Sequence, residues 1–178
     1  MAIQIARATT TFSDWTELLQ LLQGAFAFME DRIDPPSSVH DLTPPSLATK
    51  SREETLFLAT DNGELVGCVF ARQQGDSLYV NKLAVRRDRQ RNGIGRRLID
   101  AVDEHARDTG LPYLELDTRI ELTENHDTFA AMGFLKIAEH AHDGYGHPTF
   151  ITMRKQLTDP PHVSERWGAG IEHDIDQR

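Results

Sequence analysis

Residues 85–97 read VRRDRQRNGIGRR, so six arginines (Arg86, Arg87, Arg89, Arg91, Arg96 and Arg97) crowd into one short stretch of a chain with a formal net charge of −9. Such a cluster suits a nucleic-acid face, a solvated charge run, or the rim of a site for a compact anion. Nucleic acid fits poorly, because no aromatics interleave the run and the chain carries 28 acidic against 19 basic side chains. The glycines favour the compact anion. Gly93 and Gly95 lie between an alternating apolar run that ends at Val85 and helical spacing that begins at Ile94. Strand, charged loop and helix start in that order leave free backbone N–H groups at the positive end of a helix dipole, open to close approach at the glycines. Arg96 and Arg97 oppose that dipole at a cost of up to ~1 kcal/mol each, a breach of local preference that suggests a negative ligand.

Other chemistry-bearing patterns are weaker. The Walker pattern is absent. A dinucleotide fingerprint would use Gly93 and Gly95, with Glu115 or Asp117 about 20 residues on, but Leu98 stands at its third glycine and the preceding strands read as antiparallel. In YLELDT, Glu115 and Asp117 share one strand face and Leu114 and Leu116 the other. Such a polar face is costly in a central strand unless it borders a cleft, where the carboxylates would serve as bases; pairing with arginines such as Arg119 is the alternative. Glu30, Asp31 and His40 fall in a proline-rich segment and would suit a cationic amine if that segment covers an acceptor site. His140, His142 and His147 lack a clear fourth metal ligand, so no metal is expected. No serine sits in a G-x-S-x-G elbow. Cys68, the single cysteine, lies in the apolar run LVGCVF and reads as a small buried hydrophobe.

The elements that must position these residues follow from periodicity. IQIARAT (3–9) predicts a strand. Trp15, Leu18, Leu19, Leu22 and Phe26 predict a helix, with Ser13 or Asp14 as cap and Glu17 completing a capping box at Asp14; Trp15 and Phe26 are expected in the core. Residues 29–46 carry four prolines and read as a long loop, with Thr43 capping a short helix whose first residue is Pro44. TLFLAT and ELVGCVFARQ flank a DNG turn, and a further turn leads to LYVNKLAV, so three antiparallel strands are predicted. Ile94, Leu98, Val102 and Ala106 mark the inner face of the next helix, which ends at Gly110 and Pro112. A strand (113–118), a short helix ended by Gly133 and two final strands complete the order β, α, α, β, β, β, α, β, α, β, β.

In that setting LAVRRDRQRNGIGRRLI resembles the acetyl-CoA-binding motif of the GCN5-related N-acetyltransferase (GNAT) family, with Gln/Arg-x-x-Gly-x-Gly/Ala mapping onto Gln90-Arg91-Asn92-Gly93-Ile94-Gly95. LTENHDTFAAMGF is similar to that family's Asn-containing helix closing on Gly-Phe, and the resemblance extends over residues 1–157. It implies an α/β GNAT fold, a mixed, mostly antiparallel sheet of about seven strands with flanking helices. It also implies a coenzyme pyrophosphate held by backbone N–H groups of Arg91, Asn92, Gly93, Ile94, Gly95 and Arg96, with Arg91 and Arg96 favoured as phosphate contacts. Leu83, Ala84 and Val85 would pair with the pantetheine arm, and Asn125 and Phe129 would line the thiol end. Two positions depart from the family pattern. Phe129 stands where a tyrosine often protonates the leaving thiolate, and Asn81 where a carboxylate is common. Catalytic candidates are then Glu115, Asp117 and Asn81.

The expected protein is an acetyl-CoA-dependent N-acetyltransferase that acts on a small-molecule or protein amine by direct attack in a ternary complex. The alternative is a catalytically weak acyl-CoA-binding regulatory module of the same fold. One domain over 1–157 is expected, then a polar, flexible tail over 158–178. No run reaches the ~18 apolar residues of a membrane span and no signal-peptide pattern opens the chain, so a cytoplasmic protein without nucleic-acid or membrane partners is expected; a homodimer is compatible with it.

Overall fold

A computed structural model describes residues 2–157 of the protein; the segment 158–178, read above as a polar tail, lies outside the described residues. The alternating runs become seven strands of one open sheet, β1 (Ile3–Arg7), β2 (Thr55–Asp61), β3 (Glu64–Gln74), β4 (Ser77–Val85), β5 (Tyr113–Arg119), β6 (Leu135–His140) and β7 (Phe150–Gln156), in the spatial order β1-β2-β3-β4-β5-β7-β6. Four helices punctuate them: α1 (Trp15–Phe26), α2 (Pro44–Glu53), α3 (Ile94–Asp108) and α4 (Thr123–Ala131). The β2–β3 turn needs positive φ at both central residues, and Asn62 (51°) and Gly63 (87°) supply it. Every pairing is antiparallel except β4–β5, which α3 joins in parallel.

The helices cover both faces. Ile94, Leu98, Ile99, Val102 and Ala106 of α3 pack on one side against Leu78, Val80, Leu114 and Leu116. On the other, Leu18, Leu21 and Leu22 of α1 with Leu47 of α2 pack against Leu56, Cys68, Phe70 and Ala84. Trp15 and Phe26 are only partly buried against this second cluster. Cys68 is fully buried, and burial pushes its thiol up to about 12. Among the described residues, no helix is long and apolar enough to cross a membrane.

The expected caps come out differently at the two helix starts. Thr43 Oγ1 accepts from Ser46 N (3.2 Å) and Ser46 Oγ accepts from Thr43 N (2.9 Å), a reciprocal cap with Pro44 at the first helical position. Asp14 sits at the α1 N-cap but its side chain makes no capping bond. Its backbone (φ −83°, ψ 48°) lacks the extended conformation that swings a cap side chain over the first turn, so the box expected with Glu17 does not form.

One irregularity in β4 positions everything that follows. Cys68 pairs with Ala84 but Phe70 with Asn81, so Val69 alone faces both Lys82 and Leu83, and Lys82 takes a left-handed φ of 52°. The extra residue resets the alternation: Leu78 and Val80 face α3, and beyond the bulge Leu83 and Val85 do so, while Ala84 faces α1. Pairing between β4 and β5 runs from Ser77↔Tyr113 to Val80↔Leu116 and stops there, at the bulge.

Gly67 lets α3 sit close to this region, since a Cβ there would lie 3.0 Å from Ala84 O, 3.1 Å from Leu98 Cδ1 and 3.3 Å from Ile94 Cγ2. The tightest of these neighbours is backbone and cannot rotate away. Gly67→Ala is therefore expected to lower stability by about 1–3 kcal/mol, read as a lower urea midpoint at unchanged m-value.

Candidate active site

Where β4 and β5 part, a cavity of about 620 Å³ opens between them and runs on beneath the 29–46 loop. Asn81, Lys82, Leu83, Ala84 and Val85 line its β4 wall; β3 occupies the other edge of that strand, so the backbone edge toward the cavity has no strand partner past Val80. Gly95 lies at one end, and Asn125 and Phe129 of α4 form the wall opposite β4. Phe129 is held edge-on against the buried Phe134, with ring centroids 5.9 Å apart.

The loop before α3 is shaped by left-handed backbone at Arg91 (φ 64°) and Gly93 (φ 73°). Gln90 Nε2 donates to Val85 O (3.1 Å) and Asn92 Nδ2 to Arg89 O (3.2 Å), which fastens the loop to the strand end. The first N–H of α3 with a backbone acceptor is that of Arg97, onto Gly93 O (3.0 Å). Those of Ile94, Gly95 and Arg96 have none among the described residues, so the helix end offers a concave set of donors suited to an anion.

The six arginines divide. Arg86 pairs with Asp88 (2.7 Å) and Glu64 (3.4 Å), and Arg89 with the buried Asp61 (2.8 Å), so both brace the loop. Arg96 Nη2 donates to Ala131 O (2.9 Å), capping the C-terminal end of α4. Arg87, Arg91 and Arg97 make no ion pair among the described residues.

Of the three catalytic candidates, two reach the cavity. Asp117 lines it and accepts from Tyr79 Oη (3.0 Å) and Thr152 Oγ1 (2.6 Å). Burial, then the adjacent Asp117 charge, pushes the Tyr79 phenol well above its ordinary value. Asn81 also lines the cavity. Glu115 shares the polar sheet face of Asp117, but Ser77 and Arg154 (3.0 Å) hold its carboxylate and it is not on the cavity wall. Arg119, the pairing partner considered from sequence, makes no ion pair with either.

Glu54 could not be singled out from the sequence, because only sheet pairing brings it under Asn81. Its carboxylate, 7% exposed, accepts from Asn81 Nδ2 (2.9 Å), Lys50 Nζ (2.8 Å) and Arg72 Nη1 (3.3 Å). Burial alone would raise this carboxyl; the hydrogen bonds from Asn81 and Lys50 and the nearby positive charges outweigh it and hold Glu54 below the ordinary range.

The far end of the cavity is closed by the proline loop. Arg119 Nη2 donates to Pro35 O (2.7 Å) and Pro36 O (3.1 Å), and Tyr145 Oη donates to Asp34 Oδ1 (2.5 Å). Glu30, Asp31 and His40, the acceptor candidates read from charge, are not on the cavity wall; Asp41, Lys82, Arg119 and His142 are. Phe26 is there too, so this presumed core residue faces the cavity as well as α1's packing. His140 stacks on Phe150 at 5.1 Å and His142 Nδ1 shares a hydrogen bond with Thr149 Oγ1 (2.5 Å); no group of three metal-ligating side chains forms among the described residues.

The family model for the acetyltransferase (GNAT) family matches residues 15–134, which span the fork, the loop and α4. The chain belongs to the GNAT acetyltransferase family. Acetyl transfer is that family's chemistry. Among solved GNAT structures, PaiA N-acetyltransferase from Thermoplasma acidophilum, in complex with coenzyme A, is similar at a TM-score of 0.72 and 14% identity, covering 88% of this chain and 99% of that one. The ribosomal-protein-S18-alanine N-acetyltransferase from Escherichia coli is similar at 0.67 and 18% identity, covering 91% and 98%. A GNAT family acetyltransferase from Elizabethkingia anophelis with acetyl-CoA bound is similar at 0.63 and 20% identity, covering 87% and 98%. Identities this low establish the shared GNAT fold, a seven-stranded mixed open sheet with four helices. No curated protein matches the chain in sequence.

Because the folded-state pKa of Glu54 is depressed, its stabilising contribution is present above the ordinary carboxylate pKa and is lost as pH falls through the folded value. Glu54→Gln is expected to cost about 1.5–3 kcal/mol at pH 7. That deficit should shrink as pH drops below about 4.3, in denaturant melts of both proteins across a pH series.

Proposed function

We propose that the protein transfers the acetyl group of acetyl-CoA to the nitrogen of an amine, small-molecule or protein-borne, by direct attack in a ternary complex. One observation carries the reading: a single cavity has Gly95, in the helix turn with free N–H groups, at one end, an unpaired strand edge along its wall and a carboxylate, Asp117, at the fork. Backbone N–H groups within residues 91–96 suit a pyrophosphate, with Arg91 beside it as a phosphate contact and Arg96, tied to Ala131, setting the helix end. The edge of Leu83, Ala84 and Val85 supplies donors and acceptors to an extended pantetheine arm. A backbone N–H of the same strand polarises the thioester carbonyl and stabilises the tetrahedral oxyanion. Asn125 and Phe129 flank the sulfur.

The amine must be neutral to attack. In this reading Asp117, hydrogen-bonded by Tyr79 and Thr152, takes its proton, and Asn81, anchored on Glu54, orients the amine. Glu115, committed to Ser77 and Arg154, supports the strand pair that carries Asp117. Phe129 has no proton to give the departing sulfur, and a thiol of pKa ~8.5 leaves tolerably without one near neutral pH. That same absence favours a second reading, an acyl-CoA-binding module with little turnover.

Release of free thiol from acetyl-CoA across an amine panel decides between them. Amine-dependent turnover is expected; tight coenzyme binding with no turnover on any amine supports the module instead. Phe129→Tyr is expected to raise kcat by ~10²-fold, the lower end of what a positioned acid contributes, and an unchanged kcat shows that thiolate departure is not the slow step. A Cβ at Gly93 meets no protein atom within 4 Å but the left-handed backbone (φ 73°) strains any side chain there, so the uncharged Gly93→Asn, which bears the same strain, is the control for Gly93→Asp. Gly93→Asp should abolish coenzyme binding in calorimetry, and undiminished affinity would refute the phosphate assignment.

A further inference from the structure

Five cations lie on or against the polar face of the sheet, and they fall into two groups. Lys50 and Arg72 pair with Glu54, and Arg154 with Glu115, all outside the cavity. Lys82 and Arg119, the two on the cavity wall, make no ion pair among the described residues. Lys82, raised into the cavity by the β4 bulge, donates only to the neutral Ser38 Oγ (2.6 Å). Arg119 gives Nη2 to two carbonyls, and its Nη1 is enclosed without any hydrogen-bond partner. Burial lowers the Lys82 ammonium and the charges of Lys50 and Arg119 lower it further, against Glu54 and Asp41, which raise it; burial likewise lowers Arg119, against the charges of Glu121 and Asp34. His142, on the same wall, is lowered by burial and by Arg119. Two acids share this cavity. Asp117 is engaged by two hydroxyl donors at the fork, and Asp41 pairs with neither cation.

Half-buried cations whose nearest acids stop short of ion-pair distance are costly, and a cavity that gathers two of them against mutual repulsion is completed by an anion. The coenzyme's pyrophosphate is accounted for at the opposite end, so the anion belongs to the other substrate. We propose that the acceptor amine carries an oxyanionic group, a carboxylate or a phosphate, received by Lys82 and Arg119 while its nitrogen points toward the β4–β5 fork. The inference rests on the transferase reading and reverses the expectation of an acid-lined acceptor site.

The test compares matched amines with and without the anion: amino acids against their carboxamides, and phosphoethanolamine against ethanolamine. The expected result is a kcat/KM at least ~10-fold higher for the carboxylate or the phosphate member, whichever the site takes, as fits a charge-assisted hydrogen bond. Lys82→Met should pull that ratio toward one, with the coenzyme Kd as the folding control. Arg119→Gln should do the same, but it also releases Pro35 and Pro36, so Lys82→Met is the variant that does not depend on loop docking. Equal kcat/KM within every matched pair, or a ratio that survives Lys82→Met, overturns the proposal. If coenzyme binds yet no amine turns over, the transferase reading has failed and the anion site is judged by calorimetry alone. N-acetylglycine binding more tightly than N-acetylglycinamide, or N-acetylphosphoethanolamine than N-acetylethanolamine, to the coenzyme-loaded protein, with the preference lost in Lys82→Met, upholds it; no preference in either pair overturns it.

Discussion

The molecule depends on the place where β4 stops pairing with β5. A parallel pair satisfies backbone groups on both strands, and ending it at Val80↔Leu116 leaves the rest of β4 with one bare edge inside the protein. The bulge makes the break tolerable: it turns the strand at Lys82 and returns Leu83 and Val85 to the α3 core. An edge exposed in this way is normally a hazard for aggregation. Here it is walled by α4 and roofed by the proline loop, so it is reachable by a narrow extended ligand but not by another strand.

The two helix termini nearest the edge are linked. Arg96 in the first turn of α3 donates to the last turn of α4, which joins the element offering free N–H groups to the element carrying Asn125 and Phe129. An arginine in the first turn of a helix is unfavourable against the dipole of its own helix, but its guanidinium lies against the carbonyl end of another, where a cation is favoured. Part of the apparent conflict in the arginine run is therefore resolved within the fold, and the anion-seeking character rests more on backbone N–H groups than on side-chain charge.

Periodicity is a local property, which is why the order of elements, the β2–β3 turn, the Thr43 cap and the inner face of α3 were legible in the sequence. The glycine loop was legible because its chemistry lies within a few residues. Features that depend on pairing between distant strands were not. Glu54 meets Asn81 across 27 positions, Lys82 meets Ser38 across 44 and Arg119 meets the proline carbonyls across more than 80. Charge alone suggested Glu30, Asp31 and His40 for the acceptor end, since nothing local tells which side of a loop faces inward. Asp14 had the right residue type for a cap, and only its backbone angles decided otherwise.

Gly67 acts as a spacer of zero thickness. With the Ile94 and Leu98 side chains and the Ala84 carbonyl all close to its bare Cα, α3 rests on β3 at the closest approach a residue without a side chain allows. One half of the cavity is thus a gauge whose width is set by the packing of α3 on Gly67. The other half is closed by a loop held through a guanidinium on two proline carbonyls, and loops of this kind accept changes in length and composition readily. A protein divided this way can change what it acts upon by exchanging its roof while the gauge stays the same.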